Sequence, residues 1–125
     1  MLNQLLGNAV EVESSQIQSK FADILVENET VINGYKLLRD TIIFTTERLI
    51  QINVQGLTGS KVSYLSIPYS SVKLFSMETT GGLDLDCEIK LFVQGIGLPI
   101  DLKFKRGTDL KSIYKVLSKY TLRDN

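Results

Sequence analysis

Asp84, Asp86 and Glu88 stand at i, i+2 and i+4. A strand alternates its side chains between two faces, so all three carboxylates would share one face. Clustered carboxylates suggest a Ca²⁺ site or an acid–base pair. On a straight strand, however, same-face neighbours lie roughly 7 Å apart, whereas calcium takes about six to eight oxygens from converging loops. A solvated face paired with lysines accounts for the three better. Cys87, the lone cysteine, points the other way, among Leu85 and Ile89, where a thiol is inert. The chain contains no His. That removes His-based triads, Cys–His dyads and His-ligated metals, and one thiol is too few for a structural zinc. The sequence therefore predicts no catalytic residue, no metal and no cofactor.

A second constellation is cationic. Lys36 and Arg39, near the end of the first strand, together with Arg48, would hold an anion or a lipid headgroup if they converge. The competing reading pairs Arg39 locally with Asp40 in a turn. Gly56-Leu57-Thr58-Gly59-Ser60-Lys61 contains Gly, Ser and Lys but lacks P-loop spacing, and no helix follows it. Lys plus Arg equals Asp plus Glu at 14 each. A net charge of zero argues against a general nucleic-acid binder and weakens an electrostatic membrane anchor. No window approaches the run of about 20 apolar residues that spans a bilayer. The first residues lack a basic start and a long apolar stretch. Together with a single cysteine, this makes a cytoplasmic address the expectation.

These side chains need a scaffold. With 125 residues, 43% hydrophobic and 22% charged, the chain has the size and composition of one globular domain, 1–125. Ile17, Phe21, Ile24 and Leu25 form a helical stripe, which predicts a helical N-terminal extension over 1–27, with Leu6 and Val10 continuing it backwards. Its acidic face has the wrong sign for anionic lipid, so packing on its own domain is favoured. Strands are expected over Thr30 to Leu38, Thr41 to Thr46, Arg48 to Val54, Lys61 to Ile67 and Val72 to Thr79. Two more follow, 83–93 and 98–105, with clean alternation. A four-residue loop sets Val93 opposite Leu98. Asp86 then faces Lys105, Glu88 faces Lys103 and Lys90 faces Asp101, all of opposite sign, while a slip by two residues creates like-charge pairs. A C-terminal helix over 108–123 closes the chain, with Thr108 as N-cap and Leu110, Ile113, Tyr114 and Leu117 in its apolar stripe.

The strand at 72–79 is apolar on both faces, Val72 and Leu74 on one, Phe75 and Met77 on the other. Tyr69, Phe92 and Ile96 add apolar surface at outward or loop positions. These seven are the candidates for an oligomer interface. A helix of the same chain would be the alternative cover, and a β-bulge the alternative cause.

The order of elements, and the segments Tyr35-Lys36-Leu37-Leu38-Arg39-Asp40, Phe44-Thr45-Thr46-Glu47-Arg48-Leu49-Ile50, Gln55 to Lys61, Ser66-Ile67-Pro68-Tyr69 and Phe75 to Gly81, continued by Asp84-Leu85-Asp86, resemble the bacterial pleckstrin-homology family of small single-domain proteins. The resemblance covers nearly the whole chain. It implies a mainly β, pleckstrin-homology-like barrel of about seven antiparallel strands in two near-orthogonal sheets, capped by the C-terminal helix and carrying an extra N-terminal helix. It implies ring-like homo-oligomers and no enzymatic activity. Inositol-lipid binding does not carry over, because Thr41-Ile42-Ile43-Phe44 offers no basic residue on the second strand. The sequence thus predicts a self-associating interaction module with an unidentified protein partner. The alternative is a binder of lipid headgroups or membrane surfaces.

Overall fold

The computed structural model describes residues 5–79 and 87–123. The chain divides into two compact units, one of residues 11–68 and one joining the N-terminal strand up to Val10 with residues from Tyr69 onward.

In the 11–68 unit, β2 (Val31–Leu37), β3 (Asp40–Thr45), β4 (Arg48–Gln55) and β5 (Lys61–Pro68) form an antiparallel meander. Its ladders set Ile43 opposite Ile50 and Phe44 opposite Leu49. The α1 helix (Ser14–Lys20) packs on β2. Ile17 joins Val31, Ile43, Ile50 and Ile52 in one core, and Phe21, Ile24 and Leu25 pack against it. The stripe is therefore real, but only its first member is helical. Gly34 permits the approach: a Cβ there would lie 2.8 Å from Ile17 Cγ1. Alternation predicts Gln51 and Asn53 on a solvated face of β4, yet Leu49 to Asn53 are all buried, as are Thr41 to Thr45. A strand covered on both faces loses the polar–apolar alternation that a half-exposed strand needs.

In the other unit the strand order is β1 (Leu5–Val12), β8 (Ile100–Phe104), β7 (Cys87–Val93) and β6 (Val72–Thr79). The expected helix over 1–27 is corrected here: Leu5–Val12 is a strand, parallel to β8, with Ala9 opposite Phe104. Gly7 and Asn8 are poor helix formers, and a helix would forgo the sheet ladder that β8 offers. Among the described residues the strand count is thus eight rather than about seven. Glu88 faces Lys103 and Lys90 faces Asp101, the expected register. The ladder stops at Leu91 opposite Ile100, so Val93 and Leu98 lie in the wider connection. Asp86, and hence its pairing with Lys105, lies outside the described residues.

The helix α2 (Leu110–Thr121) packs on β6, β7 and the 3-10 turn Tyr69–Ser71. It buries Leu110, Ile113, Val116 and Leu117 against a face that includes Ile89 and Leu91. Tyr114 from the predicted stripe stays exposed and Val116 takes its place. Asp109, not Thr108, is the N-cap: its Oδ1 accepts from the Ser112 amide at 3.2 Å. The Thr108 hydroxyl instead donates to the Lys105 carbonyl at 2.5 Å.

Candidate interaction surfaces

The structure does not bring the three predicted cations together. Arg48 opens β4 beside the Thr45 end of β3, whereas Lys36 faces Thr41 at the other end of that strand. Four residues of strand put roughly 13 Å between the two ends. Arg48 also commits four of its five N–H donors within its own unit. Its Nε donates to Glu29 Oε2 at 2.9 Å, and its Nη2 donates to Glu29 Oε1 at 3.0 Å and to the Ile24 carbonyl at 2.9 Å. Its Nη1 donates to Ser66 Oγ at 2.8 Å.

Glu29 is buried and forms the hub of this cluster. It also accepts from the Thr45 hydroxyl at 2.6 Å and the Val26 amide at 3.0 Å. Burial by itself would raise the Glu29 carboxyl. The hydrogen bonds from Arg48, Thr45 and Val26, and the Arg48 charge, outweigh it and hold the carboxyl below the usual carboxylate range. The same pairing raises the Arg48 guanidinium. Gln18 completes the tie to the helix, donating to the Glu29 carbonyl at 3.1 Å and accepting from the Val31 amide at 2.6 Å. Arg48 is therefore a structural ion pair and leaves the anion-binding set. Sequence reasoning missed Glu29, since nothing in its local pattern separates it from the solvated acids Glu27 and Asp23.

Arg39 and Asp40 do not pair with each other. The Arg39 Nη1 donates to the Gly56 carbonyl at 2.7 Å, and Asp40 Oδ1 accepts from the Val54 amide at 2.9 Å. Together they pin the β2–β3 turn to the β4–β5 turn. Two leucines crown these turns: Leu38 is 88% exposed with φ of 53°, and Leu57 is completely exposed. Lys36, Arg39 and Lys61 are exposed on the same two hairpins. An exposed leucine in left-handed backbone pays sterically with no packing in return, which marks the position as unusual.

The apolar surface near β6 is smaller than predicted. A bulge between Val72 and Leu74 sets Val72 opposite Val93 and Leu74 opposite Phe92, inserting Lys73 as the extra residue. Val72 is consequently buried, with Phe75 and Met77 half-buried on its side. Phe75 meets the Tyr114 ring edge-on at 5.2 Å. Tyr69 is 2% exposed and stacked on Tyr120 at 5.3 Å. Tyr69 and Val72 thus leave the interface set, because each already has a cover within its own unit. Leu74, Phe92 and Ile96 remain exposed, and Leu98, at 77%, joins them unpredicted. Of the acidic trio, Glu88 reaches Lys103 Nζ at 4.0 Å, while Asp84 and Asp86 lie outside the described residues. Cys87 is buried as expected.

A mostly β chain of these antiparallel meanders, with a helix at its C-terminus, belongs to the pleckstrin-homology-like class. The family model described as "Bacterial PH domain" matches residues 1–121. Uncharacterized protein YjqA of Bacillus subtilis is 43% identical over 118 residues, covering 94% of either chain. A DUF1696 family protein with a pleckstrin-homology domain from Shewanella loihica superposes with a TM-score of 0.85 at 39% identity, covering 94% of this chain and all of that one. A pleckstrin homology domain from Shewanella amazonensis gives 0.72 at 44% identity, covering 95% and 96%. The chain belongs to the bacterial pleckstrin-homology domain family. Domains of this kind are typically non-catalytic. Among the described residues, no helix is long and apolar enough to cross a membrane.

Proposed function

We propose that this protein is a non-enzymatic interaction module that associates with copies of itself and presents the assembly to a protein partner. The carrying observation is Leu74 on β6, the outer strand of the β1–β8–β7–β6 sheet, and its cross-strand neighbour Phe92 on β7, both left exposed, with Ile96 and Leu98 exposed in the β7–β8 connection. An edge strand offers unpaired backbone groups, and an apolar patch next to one is a favoured contact for another chain. The bulge at Val72–Leu74 restricts the edge to partners of matching shape. Ring-like assembly, which the family resemblance implies, needs such a selective edge. Size exclusion with light scattering tests the reading at tens of micromolar. The wild type should run as an oligomer and Leu74→Asp/Phe92→Asp as a folded monomer. A monomeric wild type would defeat it.

The alternative reading, a membrane-surface binder, is favoured by the leucine-crowned turns with Lys36, Arg39 and Lys61 beside them, and no longer by Arg48. Cosedimentation with phosphatidylglycerol vesicles discriminates: binding abolished by Leu38→Ser/Leu57→Ser supports it, and no binding at low salt removes it.

A further inference from the structure

The outer face of α2 is charged with one sign only. From Leu110 to Arg123 the chain carries Lys111, Lys115, Lys119 and Arg123 and no acid. Each stands four residues after the last, so Lys111, Lys115 and Lys119 are helix neighbours of like charge, an arrangement that destabilises a helix, and Arg123 follows just past its end. The row runs roughly 18 Å along the helix. No described carboxylate lies within 4.0 Å of any of the four; the ion pairs among the described residues are Glu29–Arg48 and Glu88–Lys103. The far end of the row is held in place: Lys119 Nζ and Arg123 Cζ lie 5.4 and 5.0 Å from the Tyr120 ring centre, and that ring is fixed by stacking on Tyr69. The repulsion is built in and the charges are partly pre-arranged.

The matching charge is on the same chain. Glu11, Glu13, Asp23 and Glu27, all exposed, bracket α1, whose one cation, Lys20, leans on the Phe21 ring at 5.5 Å. Glu13 makes no side-chain cap bond to α1, so its carboxylate is not used there. A chain of zero net charge that sets four of its fourteen cations in one row along a helix, and four of its fourteen acids around another, offers two surfaces of opposite sign. Head-to-tail association uses two different surfaces on every copy, each fitting the other.

We propose that the cationic face of α2 docks on the acidic surface around α1 of a second copy, setting the head-to-tail direction of assembly. This rests on the self-association reading and adds to its apolar β6 edge a second, electrostatic contact. The test is the apparent association constant by light scattering at about 0.1 M and 1 M salt, between which the Debye length falls from about 10 Å to 3 Å. Lys111→Glu/Lys115→Glu/Lys119→Glu and Glu13→Lys/Asp23→Lys/Glu27→Lys should each weaken assembly at least about tenfold at the lower salt, and mixing the two variants should restore it. Should either variant lose its circular-dichroism signal, Lys→Gln at the same three helix positions replaces it, with the same expected direction. Wild-type assembly that ignores salt and both variants would overturn this inference and leave self-association standing. Failure of the mixed variants to reassociate would also overturn it. A monomeric wild type would sink both readings.

Discussion

The two ends of the β2–β5 sheet handle arginine in opposite ways. At one end Arg48 is turned inward onto the buried carboxylate of Glu29, and four hydrogen bonds hold its guanidinium. At the other end Arg39 spends one bond on a carbonyl and stays exposed beside Leu38 and Leu57. Both arginines lie within nine residues of each other in sequence. The difference is burial of the counter-charge. An ion whose partner is buried becomes part of the scaffold, because breaking the pair leaves a charge stranded in low dielectric. An exposed ion held by one backbone carbonyl remains available to solvent or to a partner.

The sharpest way to break this comparison is to remove each arginine in turn. Arg48→Ala should cost about 3 kcal/mol or more, because Glu29 is left buried and unpaired. Arg39→Ala should cost about 1 kcal/mol or less. Urea unfolding of the two variants reads the difference directly, and equal losses would erase the distinction. The pH dependence follows. The folded Glu29 carboxyl is depressed below its ordinary value, so its stabilisation is complete above the unfolded pKa, near 4.5, and fades as pH falls through the folded one. In Arg48→Ala the remaining carboxylate is buried without its counter-charge. That variant should therefore lose less stability than the wild type when taken below pH 4.5.

A smaller effect sharpens the same contrast from the helix side. Gly34→Ala would place a Cβ at 2.8 Å from Ile17 Cγ1, a branch carbon only one bond beyond the Ile17 Cβ. Overpacking of this kind typically costs about 1–3 kcal/mol. Combining it with Ile17→Ala should recover part of the loss, so the two substitutions should be non-additive in a double-mutant cycle. Full additivity would mean that α1 is not seated on Gly34.

How much of this was legible beforehand depends on how far each feature is local. The register of the C-terminal pair of strands matches the expected one at Glu88–Lys103 and Lys90–Asp101, though not the strand ends, since half-buried antiparallel strands keep a strict alternation and their outward charges fix one register. The bulge that sorts Val72 from Leu74 was legible only as an option, because a doubled apolar face looks the same whether a bulge or a partner explains it. The N-terminal strand was misread because Leu6 and Val10 happen to continue a helical stripe, while its actual pairing is with a strand some ninety residues away. The Glu29–Arg48 pair spans 19 residues and has no motif. Leu38 and Leu57 are conspicuous only once the turns are seen to carry them into solvent.

The smallest expected loss concerns Glu88–Lys103, the one of the three expected cross-strand pairs that closes as an ion pair among the described residues. Lys103 Nζ lies 4.0 Å from Glu88 Oε2 and is half exposed. Lys103→Ala should therefore change stability by under about 0.5 kcal/mol, far below the effect of Arg48→Ala. Lys103→Glu is the more telling variant. It sets two like charges opposite one another in the Glu88 pair and should cost about 0.5–1 kcal/mol, with Glu88→Lys in the same chain restoring most of it. Such a small coupling contributes little to total stability. It nevertheless acts on the choice between registers, where a slip by two residues would bring Glu88 against Asp101, and a weak term suffices when the competing alignments are otherwise close in energy. If the reversed pair showed no coupling, the charges would be bystanders and the inward residues Ile89 and Leu102 would have to fix the register alone.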